Sequence, residues 1–137
     1  MSANRFPWIG KDTQPDILDE EHLGRMTFGD RQVEREVLEI FVRHSAATLN
    51  LILDCIADRD TAAAAAAAAH TMIGSARGIG AWRVAQAAER LERAVNTVGD
   101  DQQLGEAIAA LKAANLEANT AIGKRLADPV NRTADCA

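Results

Sequence analysis

Apolar residues recur at helical spacing along most of this chain, and the pattern predicts five helices. Glycines and capping side chains mark the predicted ends. Glycine readily adopts the left-handed conformation that closes a helix, and a carboxylate accepts a hydrogen bond from the free N–H groups of a first turn. The predicted segments are a short helix from about Glu20 to Phe28 behind the cap Asp19, a long helix from the cap Asp30 to near Asp58, a helix from Asp60 or Thr61 that Gly78 and Gly80 end, a helix from about Ala81 that Gly99 breaks, and a last helix from Asp100 or Asp101 to Ala127.

Each of these helices carries an apolar stripe that we expect to face a common core. Four long helices with short connections predict an all-α fold, an antiparallel four-helix bundle with a short extra N-terminal helix. We assign residues 17–127 to the bundle, 1–16 to an extended N-terminal arm and 128–137 to a flexible C-terminal tail. The expected stripes are Val33, Val37, Ile40, Phe41, His44, Thr48, Leu51 and Cys55 in the second helix, and Ala62, Ala65, Ala69, Met72, Ala76 and Ile79 in the third.

Composition narrows the class of protein. The 137 residues suit one compact domain, and 47% hydrophobic residues with only 4% aromatic ones predict a core of small aliphatic side chains. The net charge of −5 argues against nucleic acid as a partner. No apolar run approaches the roughly 20 residues of a membrane span, and no signal peptide is recognisable. We therefore expect a cytoplasmic protein without a membrane partner.

The two cysteines and two of the three histidines do not suggest a functional site. Cys55 and Cys136 are too few for a disulfide framework. A di-metal centre in a helical bundle needs Glu-x-x-His pairs, which this chain lacks, so neither a metal nor a cofactor is expected. His44 is expected to be structural, because it lies on the apolar stripe of the second helix, and His22 is expected on the short surface helix.

His70 is placed differently, because it follows a run of eight alanines and points roughly 140° away from the apolar stripe of its helix. Gly74 lies one turn further on, where glycine costs about 1 kcal/mol relative to alanine. Open space beside His70 compensates for that cost. A neutral imidazole nitrogen is a nucleophile, so an accessible histidine on a helix suggests phosphoryl transfer. The side chains around it on that face belong to Ala63, Ala66, Ala67, Gly74 and Arg77.

The segment around His70 resembles the signature of the histidine-containing phosphotransfer (HPt) domain of bacterial multistep phosphorelays, over roughly residues 17–126. The resemblance implies that His70 accepts a phosphoryl group from a receiver-domain aspartate, including that of a hybrid histidine kinase, and relays it to another receiver. It implies a monomeric phosphoryl carrier without kinase activity or an ATP site, and Mg²⁺ only on the receiver. The matching residues are Ala69, His70, Met72, Gly74, Ser75, Gly80 and Ala81, followed by Leu91 and Glu92 and preceded by Gly29 and Asp30.

Ile73 departs from the signature, which usually has lysine three residues after the histidine. Arg77, two turns beyond His70, is a candidate to supply the missing positive charge by reaching back. Alternatively, Ile73 adds an apolar contact to a docking surface. The expected surface surrounds His70 and comprises Ala63, Ala66, Ala67, Ile73, Gly74 and Arg77. The alternative function is a helical adaptor that binds a receiver or a histidine kinase without being phosphorylated.

The run from Gly74 to Gly80 also resembles the glycine-rich nucleotide-binding loop of short-chain dehydrogenases. Such a loop follows a hydrophobic strand, whereas alanines and His70 precede it here. The chain contains no tyrosine, so the catalytic tyrosine of that family is absent. We therefore reject a dehydrogenase.

Overall fold

The computed structural model describes residues 15–57, 62–97 and 99–127. Helices and short connections make up this part of the chain, with no strand, so the predicted all-α fold is confirmed. The tail, most of the arm and the predicted helix ends at 58–61 lie outside the described residues. The helices are α1 (Glu20–Met26), α2 (Arg31–Ala57), α3 (Ala62–Ile79), α4 (Trp82–Asn96) and α5 (Asp101–Ala127).

The predicted caps Asp19, Asp30 and Asp100 are present. The Asp30 carboxylate accepts hydrogen bonds from the backbone N–H groups of Gln32 and Val33, at 2.9 and 3.1 Å. At the start of α5, Asp100 accepts one from the N–H of Gln103 at 2.9 Å. Gly80 closes α3 with a φ of +83°, in the left-handed region. These local signals explain why the helices begin and end close to the predicted positions.

α3 and α4 pack most extensively against each other, α2 packs against α3, and α5 packs against α4. α2 also contacts α5, so the core lies between the four long helices. α3 and α4 contribute many buried alanines, so their backbones approach closely. Larger aliphatic side chains fill the space between the pairs. The largest fully buried apolar side chains are Leu23, Leu38, Ile52, Met72, Leu91, Leu111, Ile122 and Val84.

The predicted stripe of α2 is only partly right, because Phe41 and Cys55 are buried but the buried side is rotated from the predicted one. Ile40 and Leu51 are about half exposed and His44 is exposed, whereas the buried line includes Glu34 and Ser45. Because these two buried residues are polar, the pattern of apolar residues does not identify the buried side of α2. Glu34 is buried because its carboxylate accepts two hydrogen bonds from the Arg125 guanidinium, at 2.7 and 3.1 Å. The buried line is Glu34, Leu38, Phe41, Ser45, Ile52 and Cys55.

The expectation that no segment is long and apolar enough to span a membrane is wrong for α2. By length and composition it is apolar enough to cross a membrane, with a mean hydropathy of 1.3 over an 18-residue window. A core helix of a soluble protein meets the same criterion. α2 buries one side against the bundle, and 22% of this window is buried.

α1 closes the end of the bundle where α3 turns into α4. The Asp19 N–H donates to the Gly80 carbonyl at 2.9 Å, and a Cβ on Gly80 would lie 2.9 Å from Asp19 Cβ. The Asp19 carboxylate also accepts a hydrogen bond from the Trp82 indole N–H at 2.9 Å. That bond, with a second from the backbone N–H of His22, holds the pKa of Asp19 below its ordinary value of 3.8.

Candidate functional site

His70 lies in the middle of α3 with its side chain 75% exposed. This is the exposed face that the sequence pattern predicts for it. Its Nδ1 lies 3.4 Å from Oε2 of Glu92, which projects from the neighbouring helix α4. The imidazole is therefore open to solvent on one side and faces a carboxylate on the other.

Glu92 is the residue beside His70 that the helical pattern of α3 alone could not reveal, because it comes from another helix. The resemblance to the HPt signature does include the Leu91-Glu92 pair, but it gave this glutamate no role. Its side chain is 32% exposed, so solvent only partly screens the carboxylate. A carboxylate at Nδ1 favours a proton on that nitrogen and leaves Nε2 unprotonated, as a nucleophile requires.

The surface next to His70 is formed by small side chains, as the sequence predicts. Ala63 and Ala67 are exposed and Ala66 is half-buried. Gly74 is exposed, and a Cβ placed on it would have no atom within 4 Å. No close packing within the bundle therefore requires glycine at this position, and its effect is to leave the surface open.

The expectation that Ile73 belongs to this surface is wrong. Its side chain is only 4% exposed and belongs to the core cluster. Three residues along an α-helix leave residue 73 about 60° from His70 around the helix, toward the side on which Ala69 and Ala76 are buried. Isoleucine at this position thus extends the buried stripe of α3. It offers neither charge nor an apolar contact to a partner.

Arg77 is exposed on the predicted face, but its guanidinium forms an ion pair with Glu89 of α4. Its carbonyl accepts a hydrogen bond from Nε2 of His22 at 2.9 Å, and the His22 ring lies 4.9 Å from that of Trp82. Arg77 therefore connects α3 to α1 through its carbonyl and to α4 through its guanidinium. The expected surface position of His22 is half-buried rather than fully open.

An apolar groove of about 320 Å³ adjoins Gly74 and lies between α2, α3 and the end of α1. His44 lines it and is exposed, so it does not lie on the buried side of α2 as the predicted stripe placed it. Ile40 of α2 and Met26 of α1, both about half exposed, line it too. Phe28, at the corner between α1 and α2, is 92% exposed. Apolar side chains thus continue the surface around His70 toward α2.

A site for a metal ion is not apparent in residues 15–57, 62–97 and 99–127, where no three His, Cys, Asp or Glu side chains lie together. The pair of His70 and Glu92 supplies only two such groups. We therefore attribute no metal ligand to this part of the chain.

Comparison with protein families identifies the class of protein. The model of the Hpt domain family matches residues 36–121, well over half of the chain, and this protein belongs to that family. The match includes His70, Gly74 and Glu92. Searches of curated proteins and of solved structures gave no significant match. Hpt domains are phosphocarrier modules of phosphorelay signalling rather than autonomous kinases, and they interact with receiver domains.

Proposed function

We propose that His70 accepts a phosphoryl group from the aspartate of a receiver domain and passes it to the aspartate of another. The observation that carries this proposal is the exposed imidazole of His70 on an open helix surface, with the Glu92 carboxylate 3.4 Å from Nδ1. The imidazole lies inside the segment that matches the Hpt family. We expect the chain to be a carrier with no catalytic cycle of its own.

The chemistry needs one nucleophile and one leaving group. Nε2 of the neutral imidazole attacks the phosphorus of the aspartyl phosphate, the bond from phosphorus to the aspartate oxygen breaks, and the carboxylate leaves with the electron pair. The proton on Nδ1 stays on the ring, which becomes positively charged. Glu92 stabilises that charge. Attack by a second receiver's carboxylate reverses the step, so transfer depends on positioning and electrostatics.

The negative charge of the phosphoryl group must be stabilised mainly by the partner. Ile73 is buried, and the Arg77 guanidinium is paired with Glu89. Glu92 and Glu89 add negative charge on this side of α4. We therefore assign the positive charge that stabilises the transfer to the receiver and to the Mg²⁺ in its acidic pocket, with no cofactor on this chain.

The docking surface that we propose centres on Gly74, Ala63 and Ala67 and continues across the groove to Ile40 and His44 of α2. Its floor is apolar and low, which lets a receiver bring its aspartate within reach of the imidazole. Ile73 is not part of it. Compared with the surface expected from the sequence, the proposed one omits Ile73, Ala66 and Arg77 and adds residues of α2.

Transfer from a panel of phosphorylated receiver domains tests this function. We expect acid-labile label on the wild-type protein and none on His70→Gln. His22→Gln is the matched control, because His22 lies outside the proposed docking surface and glutamine can still donate a hydrogen bond to the Arg77 carbonyl, and it should still be labelled. Label on His70→Gln, or its loss in both variants, would contradict the role of His70.

A second candidate function is an adaptor that binds a receiver without being phosphorylated. The burial of Ile73 and the pairing of Arg77 favour it, because they leave the phosphoryl group without an adjacent cation from this chain. Its signature is receiver binding that His70→Gln does not weaken, together with no label on the wild-type protein.

A further inference from the structure

α4 presents opposite charges on its two sides. Glu89 and Glu92 lie toward α3, where they contact Arg77 and His70. Arg83, Arg90 and Arg93 recur at a spacing of seven and then three residues, which places them on one side of the helix, toward α5. The arginine row is therefore separate from the surface around His70.

The arginine row borders a trough of about 470 Å³ between α4 and α5. Alanines from both helices form its floor, among them Ala87 and Ala113. Because these side chains are so small, the space between the two helices remains open. A second, polar pocket of about 220 Å³ shares Arg90 and Arg93 and extends the trough toward Gln103.

Two carboxylates face the three arginines of the row. Arg83 contacts Glu117 and Arg90 contacts Glu106, each at 3.5 Å and with exposed partners, so each pair contributes little to stability. Arg93 forms no ion pair with the residues that the structure describes. The trough thus has a local surplus of positive charge in a chain whose net charge is −5.

We propose that the α4–α5 trough binds an acidic helix or extended segment of a partner protein, whose carboxylates pair with Arg90 and Arg93. The planar guanidinium matches a carboxylate in a two-point hydrogen bond, and the alanine floor accepts the apolar side of such a segment. The net charge of −5 disfavours nucleic acid, whose long chain of phosphates would extend beyond the trough over the rest of an acidic surface. A partner bound here leaves His70 accessible, so this surface does not depend on the proposed phosphotransfer.

Binding of a fluorescein-labelled helical peptide rich in glutamate and alanine to the full chain tests this inference. We expect the wild-type protein to bind it with an affinity that falls as salt is added, and Arg90→Glu/Arg93→Glu to weaken binding at least tenfold. The matched control is Arg25→Glu/Arg43→Glu. It makes the same change in charge at one arginine with an exposed ion pair and one without a pair among the described residues.

The control should lose less than threefold, with unchanged helical circular dichroism in both variants. Amide NMR shifts on adding the peptide should cluster on α4 and α5 rather than around His70. No binding by the wild-type protein, equal losses in the two double variants, or equally tight binding of a single-stranded oligodeoxynucleotide would each overturn the inference.

Discussion

Gly74 is the residue of the site at which we expect one substitution to raise stability and to slow phosphoryl transfer. A Cβ at this position has no atom within 4 Å and Gly74 is exposed, so we expect the side chain of Gly74→Leu to extend into solvent. Glycine inside a helix costs about 0.5 to 1 kcal/mol relative to alanine, and leucine is nearly as favourable as alanine. We therefore expect the variant to be more stable than wild type by about 0.5 to 1 kcal/mol.

That gain corresponds to an increase in Tm of about 2 to 4 °C for a domain of this size. Transfer should change in the opposite direction. The branched side chain of Gly74→Leu rises beside His70 on the surface that the receiver must approach. Because reacting atoms must come within about 3 to 3.5 Å, and a displacement of about 1 Å can cost 10²-fold, we expect the transfer rate to fall at least about 100-fold.

Gly123→Leu provides the matched control, since Gly123 is also an exposed helical glycine whose Cβ would meet nothing within 4 Å. Thermal unfolding and single-turnover transfer from a phosphorylated receiver measure the two effects separately. Gly123→Leu should keep the wild-type transfer rate. Undiminished transfer in Gly74→Leu would refute the reason given for this glycine, and a loss of helical structure would refute the reasoning on stability.

Three further substitutions probe the site and its support. Glu92→Gln should slow transfer about threefold to tenfold in the same assay, because it removes a partly screened charge from the His70 ring, while receiver affinity by calorimetry stays unchanged. Ile73→Lys should fail to increase transfer and should lower stability by about 3 kcal/mol in urea unfolding, because it places an ammonium group in the core. Asp19→Asn should destabilise the protein at pH 7. The folded-state pKa of Asp19 lies below 3.8, so its contribution is present above that value and is lost as the pH falls through the lowered pKa. Urea unfolding should therefore show a smaller difference between this variant and wild type at pH 3 than at pH 7, and a constant difference would contradict it.

The helix ends and the face of His70 could be predicted from sequence because they depend on local chemistry. Asp30 and Asp100 cap their helices by contacts within three residues, and Gly80 closes α3 by its own backbone conformation. The position of His70 follows from the rotation per residue and the alanine-rich pattern before it. None of these features requires knowledge of a distant contact.

The errors arise where tertiary contacts decide the outcome. Glu34 lies on the buried side of α2 because Arg125, 91 residues further on, pairs with it. Ile40 and Leu51 then remain on the outside despite their hydrophobicity. The carboxylate beside His70 likewise comes from another helix, so spacing along α3 gives no sign of it. Ile73 is a different case, because its rotation away from His70 follows from helical geometry.

Mapping the phosphorylated residue tests the account most directly. After transfer from a phosphorylated receiver, ³¹P NMR of the intact protein at alkaline pH, followed by tandem mass spectrometry under non-acidic conditions, identifies the modified side chain among the three histidines. We predict a single phosphohistidine at His70. A phosphoryl group on His22 or His44, or a protein that binds the receiver and carries no phosphoryl group at all, would contradict the central claim.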